Sequence, residues 1–407
     1  MDSAVTAALL VKALNPSQVY GIHIDHGMMR KNESDLICAN LADLGLTQMR
    51  RINAEDEFFN TPLVIDGEQY KPLSQTCEPE KKRAIIGHMF FVVTEKAAKE
   101  LDLDFDTAFL GQGTLRPDLI ESGNPDVSGY AHKIKTHHND VGVIRTLRDK
   151  GHVIETNWDW HKDEVRQVAR MLGLDEAIAS RQPFPGPGLG VRILCTDNSG
   201  KDTSPEYAEK KQRLVSAVEK ISPEYKCDLA PVQSVGVQGD HRSYKNMTVL
   251  YSQSQNPLDT DIDKLYSAAK KIPNELEFIN RVTYCLNESA AGVSELKCTP
   301  THICHQTAEL LREIDDITTR NLMNKNIAQC FAVLVPISAH EGKKYSIAMR
   351  AVCTSDFMTA QSAVPGVDFP LEALKKARDE ITERFGNVIS LVLYDVTGKP
   401  PATVEWE

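Results

Sequence analysis

The spacing of apolar positions gives the two halves of this chain different rhythms. In the first half, short β-type runs alternate with helical patterns. "QVYGIHID" predicts a buried strand, and "RKNESDLICANLADLG" after it an amphipathic helix with apolar positions three and four apart. "TQMRRINA" predicts a second strand. "PEKKRAIIGHMFFVVTEKAAKEL" opens with Pro79 in a favoured first-turn position and predicts a long helix. A strand and glycine turn ("TAFLGQGT"), a helix ("GVIRTLRDKG"), a strand ("HVIET") and a helix ("HKDEVRQVARMLGL") follow. Such alternation with short connections means βαβ units and a parallel sheet. Ligands gather beyond the C-terminal strand ends of such sheets. "HIDHG", "GQGTLRPD" and "KTHHND" are the polar segments that belong there.

The second half carries an internal repeat. "PVQSVGVQGDHRSYKNMTVL", helix "DIDKLYSAAKKI" and "FINRVTYCL" make one copy; "AVLVPISAHEGKKYSIAMRAV", helix "PLEALKKARDEITERF" and "VISLVLYDV" make the other. Each reads strand, polar turn, strand, helix, strand: a ββαβ unit, over about 228–290 and 328–407. One unit alone leaves a sheet face uncovered, so two copies are expected to cover each other in the manner of a two-fold dimer. Between the halves, "SRQPFPGPGLGVR" has three Pro and three Gly from Pro183 to Gly190, which excludes helix and inner strand. Phe184 and Leu189 within it, and Arg181 and Arg192 around it, suggest a rigid packed loop rather than a bare linker. The domains expected are 1–192, α/β with a parallel sheet, and 193–407, α+β with the repeat.

Charge and cysteine content narrow the class. A net charge of −11 without blocks of like charge argues against sequence-independent nucleic-acid binding. Nine cysteines without a CxxC pair, and no secretory leader pattern, fit a reducing compartment. No apolar run approaches the length needed to cross a bilayer. The expectation is a cytosolic protein that engages neither nucleic acid nor membrane.

The opening "MDSAVTAALLVKAL" predicts a helix from the second residue, with Asp2 and Ser3 as N-cap residues. Free N–H groups at a helix N-terminus also bind phosphate, and a carboxylate beside that phosphate calls for Mg²⁺ between them. Two histidine-rich stretches raise zinc. Adjacent His137 and His138 on a loop point apart, and "CTPTHICH" has the spacing of no zinc module, so neither is expected to hold one.

"SRQPFPGPGLGVR", "GTLRPDLIES", "IKTHHND", "TSDFMTA" and the terminal "GKPPATVEWE", in that order, resemble GMP synthases over essentially the whole chain. The resemblance covers their ATP-pyrophosphatase and acceptor-binding parts. It implies a Rossmann-like pyrophosphate-loop domain and a C–N ligase that adenylates XMP at its C2 oxygen with Mg·ATP. Pyrophosphate leaves, and ammonia from a glutaminase domain or subunit then gives GMP and AMP. Met1-Asp2-Ser3 looks like the last three positions of the family's SGGxDS loop. By this comparison the Ser-Gly-Gly portion, the strand before it and the glutaminase domain are missing from this sequence.

By this resemblance Asp2 is a Mg²⁺ ligand and Ser3 a phosphate contact, with Asp25 and Gly27 also binding ATP. The family usually has Asn where His26 stands. Lys135 would stabilise the transferred phosphate, and Arg83, Asp240, Gln329, Lys399 and Glu405 would seat XMP. In the tail, two prolines add stiffness, Lys399 offers a phosphate partner, and Glu405 offers acceptors for two purine N–H groups. A tail this rich in Trp and Pro is expected to dock. "GDHRSY" in one copy and "TSDFMT" in the other imply an intramolecular pseudo-dimer, in a monomer or a homodimer. The alternatives are a non-catalytic nucleotide-binding or interaction protein and another pyrophosphate-loop ligase; the second-half motifs speak against the latter.

Overall fold

The computed structural model describes residues 1–103, 107–115, 150–179, 182–238, 241–354 and 358–407. Arg181, Lys135, His137, His138, Asp240 and the helix expected in "GVIRTLRDKG" lie outside the described residues. The chain divides into two compact units. Met1–Leu73 with Glu80–Pro187 forms the first, and Ser74–Pro79 with Gly188–Glu407 the second.

The first unit holds helices α1 (Asp2–Ala13), α2 (Glu33–Asp43), α3 (Glu55–Asn60) and all but the first residue of α4 (Pro79–Glu100). It also holds α5 (Lys162–Met171) and α6 (Glu176–Ala179). Its strands are β1 (Tyr20–Asp25), β2 (Gln48–Asn53), β3 (Leu63–Ile65), β4 (Glu68–Tyr70), β5 (Leu110–Gln112) and β6 (Val153–Glu155). Among the described residues the parallel pairing falls into two separate pairs, β1 with β2 and β5 with β6. The antiparallel β3–β4 hairpin was not legible in the apolar pattern, because its three-residue strands are mostly exposed. Val5 and Ala8 of α1 pack with Val165 and Ala169 of α5 in a common core. Asp2 and Ser3 do not cap α1, as the sequence suggested. Asp2 is already helical, Met1 holds the cap position, and its side chain makes no capping hydrogen bond.

The second unit contains α7 (Pro205–Ile221), β7 (Tyr225–Gln238), β8 (His241–Ser252), α8 (Ile262–Glu275), β9 (Ile279–Cys285) and β10 (Lys297–Cys298). After these come α9 (His305–Leu322), β11 (Gln329–Val335), β12 (Ile337–Ser338), β13 (Tyr345–Cys353), β14 (Gln361–Ser362), α10 (Leu371–Phe385) and β15 (Ile389–Asp395). The repeat is larger than its strands suggest, since each copy begins with a helix: α7-β7-β8-α8-β9 and α9-β11-β13-α10-β15. Ser204 caps α7 through the Tyr207 amide at 3.3 Å, with Pro205 in the first turn.

The copies do not stack face to face. They join edge to edge in one sheet of order β11-β13-β15-β9-β8-β7, with β14 added beside β13. The central β15–β9 pair is antiparallel, with Tyr394 opposite Tyr284 and Asp395 opposite Thr283. Each closing strand thereby satisfies an edge that a single copy would leave open. One face of this sheet carries the helices. The other buries Val249, Tyr251, Phe331, Val333 and Leu393 beneath Leu194, Leu296 and Trp406. Leu194, the segment around Leu296 and the C-terminal tail share in covering that face.

Candidate active site

In the first unit, the N-terminus of α1 meets the C-terminal ends of β5 and β6. Gly113, just past β5, runs against the first helical residues so closely that a Cβ there would lie 2.5 Å from the Ser3 nitrogen. The Asn157 side-chain amide donates to the Asp2 carbonyl at 3.0 Å and to the Thr6 hydroxyl at 3.2 Å. Thr156 bonds Thr6 at 3.0 Å, and Thr114 bonds Glu155 at 2.6 Å. The Oδ1 atom of Asp2 is buried without a hydrogen-bond partner among the described residues, and Ser3 is exposed. A buried carboxylate oxygen with no donor, beside free helix N–H groups, fits a hard cation and an anionic oxygen ligand.

Asp25 ends β1 and belongs to a different cluster. Its carboxylate accepts from Arg51 at 2.6 Å and from the Gly27 amide at 3.4 Å, and Arg51 also holds Asp35. Burial pushes the Asp25 carboxyl up, but hydrogen bonds from Arg51, Ser34 and Gly27 outweigh it and hold it below its ordinary value. Gly27 is required here: its φ is +77°, and a Cβ would meet Glu55 at 2.4 Å. His26 is buried between the rings of Phe58 and Phe90, and its Nδ1 accepts from the Met28 amide at 3.1 Å. It packs as a core residue. Arg30 caps the Pro/Gly-rich loop by donating to the Pro183 carbonyl at 3.3 Å and lying 4.2 Å over the Phe184 ring.

In the second unit, the tail after β15 is docked on three buried arginines. Arg281 of β9 and Arg350 of β13 share the Asp395 carboxylate, at 2.6 and 2.7 Å. They also donate to tail carbonyls: Arg350 to Val404 at 2.9 Å and Thr403 at 3.0 Å, Arg281 to Thr403 and Glu405 at 3.3 Å. Trp406 is fully buried, with Arg281 lying 4.4 Å over its ring. Burial raises the Asp395 carboxyl, but the charges of Arg350 and Arg281 dominate and hold it below the ordinary range. Burial, with the like charge of Arg350, lowers the Arg281 guanidinium to about 10 against the pull of Asp395, and it stays protonated at neutral pH.

The third arginine, Arg192, meets Glu405 through two parallel bonds, Nε to Oε2 at 3.0 Å and an Nη to Oε1 at 2.8 Å. The Gln329 amide donates to Oε1 at 3.1 Å. At least three of the four lone-pair positions on this carboxylate are therefore taken within the protein. Glu405 is not the open pair of acceptors that the tail alone suggested. Lys399 stands half-buried six residues earlier, its backbone paired with Ala360 at 2.7 and 3.1 Å.

The structure thus joins Gln329 and Glu405 directly and puts Lys399 on the same docked tail. Arg83 is half-buried on α4 in the first unit. Asp2 sits with Gly113 and Asn157, whereas Asp25 and Gly27 belong to the β1 end. Sequence reasoning missed Asn157, Arg51, Arg281, Arg350 and Asp395. The last three did leave a trace, as charged residues inside otherwise apolar strand runs. His302 of the "CTPTHICH" stretch meets Asp197 at 2.9 Å, with Cys77 in the same group of possible ligands. Asp197 is 80% exposed.

The fold and these clusters define a two-unit α/β protein with a buried, unpartnered carboxylate oxygen at a helix start in one unit and a docked, arginine-held tail in the other. Residues 315–406 match the family model "GMP synthase C terminal domain". The chain is 37% identical over 442 residues to a GMP synthase (glutamine-hydrolyzing) of Dictyostelium discoideum, covering 100% of this chain and 61% of that protein. It is 35% identical over 305 residues to the GMP synthase (glutamine-hydrolyzing) of Helicobacter pylori, covering 72% of this chain and 56% of that protein. The resemblance carried by the motifs is therefore borne out: the chain is similar to GMP synthases from end to end. It spans about three-fifths of the length of the Dictyostelium relative. Among the described residues, no helix is long and apolar enough to cross a membrane.

Proposed function

We propose that this chain carries the synthetase part of a GMP synthase, a ligase forming a C–N bond. The first unit binds ATP and the second seats XMP. The C2 oxygen of XMP attacks the α-phosphorus of ATP, the bond to pyrophosphate breaks, and an adenylated purine results. Ammonia then adds at C2 and AMP leaves, giving GMP. The observation that carries this reading is the Arg192–Glu405–Gln329 arrangement: Gln329, Lys399 and Glu405 all fall within the residues that match the GMP synthase C-terminal family model.

In this mechanism the start of α1 and the Gly113 turn receive the phosphates through backbone N–H groups. The buried, unpartnered Oδ1 of Asp2 fits Mg²⁺, which when bound would neutralise charge on the phosphates. Ser3 would contact a phosphate, and Asp25 with Gly27 would receive the adenosine end. Lys135 would bear on the phosphate being transferred. Arg83, Asp240, Gln329, Lys399 and Glu405 would hold the acceptor, with Lys399 on its 5′-phosphate. Ammonia would come from a glutaminase domain or subunit, in the cytosol. The domains divide as 1–192 for adenylation and 193–407 for acceptor binding, and the assembly is a monomer or a homodimer.

Incubating the chain with XMP, Mg·ATP and concentrated ammonium tests the reading. Pyrophosphate, AMP and GMP in equal amounts support it. XMP binding without pyrophosphate would instead favour a nucleotide-binding protein that does not turn over.

A further inference from the structure

We propose that Arg192 is the positioning residue of the acceptor seat, holding the Glu405 carboxylate in one orientation toward the purine. This rests on the reading of the second unit as an XMP site.

The pair is asymmetric in a way that stability alone does not explain. The Arg192 side chain is 0% exposed, whereas Glu405 keeps 20% of its surface open. The cation is interior and the anion faces outward. Replacing a buried ion pair with apolar side chains is often neutral or stabilising, so such a pair is weak evidence of a stability role. A buried guanidinium that presents an anion at a surface acts as a fixed mount.

The mount is rigid. The Arg192 carbonyl accepts from the Leu334 amide at 2.8 Å, and the Leu194 amide donates to the Leu334 carbonyl at 3.0 Å, so the residue is laced to β11. Its guanidinium lies 4.0 Å over the Phe331 ring, with Asp315 at 3.7 Å on another side. Asp315 is itself held by the Ala332 amide at 2.9 Å. Phe331 and Gln329 stand two residues apart on β11 and so share a sheet face. One strand therefore supplies both the ring beneath Arg192 and the amide that bonds Glu405. With the Nε–Nη edge of the guanidinium committed to Glu405, the carboxylate cannot rotate without breaking two charge-assisted bonds. Arg281 fixes the backbone of the same glutamate through its carbonyl.

The test is calorimetric titration of the chain with XMP. The variants are Arg192→Lys, Arg192→Met, Glu405→Gln, Lys399→Ala and the Arg192→Met/Glu405→Gln double. Lysine keeps the buried charge but loses the two-pronged geometry, so Arg192→Lys should bind XMP about tenfold more weakly. Arg192→Met should be weaker still. The double variant should bind within about threefold of Glu405→Gln alone, because both changes remove one coupled device. A purely structural Arg192 would lower the melting temperature while leaving XMP affinity in Arg192→Lys untouched, and that result overturns the proposal. So do losses that multiply in the double variant. If Lys399→Ala weakens binding but neither Arg192 variant does, the seat stands and this inference falls. Absence of XMP binding by the unaltered chain overturns the seat and the inference together.

Discussion

Arg281 and Asp395 meet at 2.6 Å with neither side chain exposed to solvent, on the two strands where the repeat copies join. Arg350 reaches the same carboxylate oxygen from β13. One anion thus ties both copies and, through the arginines, the carbonyls of the tail.

Removing that anion leaves two guanidinium groups buried without it. Asp395→Asn should destabilise the second unit by about 3–5 kcal/mol, the usual cost of breaking a buried ion pair from one side. Chemical denaturation monitored by Trp406 fluorescence in a Trp158→Phe/Trp160→Phe background checks this. An effect under about 1 kcal/mol would show that tail docking does not depend on the network.

The same group sets a pH dependence. The folded-state value of Asp395 lies below its ordinary 3.8, so its contribution is fully present above that value. It is lost as pH falls from there through the lower folded value. Melting temperatures recorded from pH 6 to pH 2.5 should fall steeply below about pH 4, and the slope should be shallower in Asp395→Asn.

Gly113 and Gly111 provide an internal comparison. A Cβ on Gly113 would meet the Ser3 backbone at 2.5 Å, whereas one on Gly111 would meet side chains alone, Leu10 at 3.2 Å and Thr6 at 3.8 Å. Gly113→Ala should cost about 1–3 kcal/mol of stability and displace the start of α1, weakening ATP binding; Gly111→Ala should do less of both. Equal effects in paired melts and ATP titrations would contradict the close approach.

Gln329 and Glu405 should behave as one unit. Gln329→Ala, which removes the 3.1 Å bond to Oε1, should weaken XMP binding about three- to tenfold. In a Glu405→Gln background the same change should cost much less, and a double-mutant cycle measures the difference.

How much of this the sequence could reveal depended on the distance between partners. The strand "FINRVTYCL" and helix "PLEALKKARDEITERF" were legible because their apolar period is local. The helix that opens each copy was only half legible: "PEYAEKKQRLVSAVEKI" has a cap and a stripe, but it precedes the strands that defined the repeat. Edge-to-edge joining was not legible, since the apolar pattern of a strand marks its faces and says nothing about its neighbour. Nor was the state of Glu405. Its terminal motif suggests open acceptors, and only folding brings Arg192, 213 positions earlier, onto both oxygens.

The most direct test of the acceptor seat is calorimetric titration of this chain with XMP, alongside AMP as a purine nucleotide lacking the oxo edge. The seat built from Gln329, Lys399 and Glu405 predicts one XMP site per chain. It should exceed AMP in affinity at least tenfold and be weakened, though still measurable, in Lys399→Ala and Glu405→Gln. Equal affinity for the two nucleotides, or XMP binding indifferent to both substitutions, would contradict it.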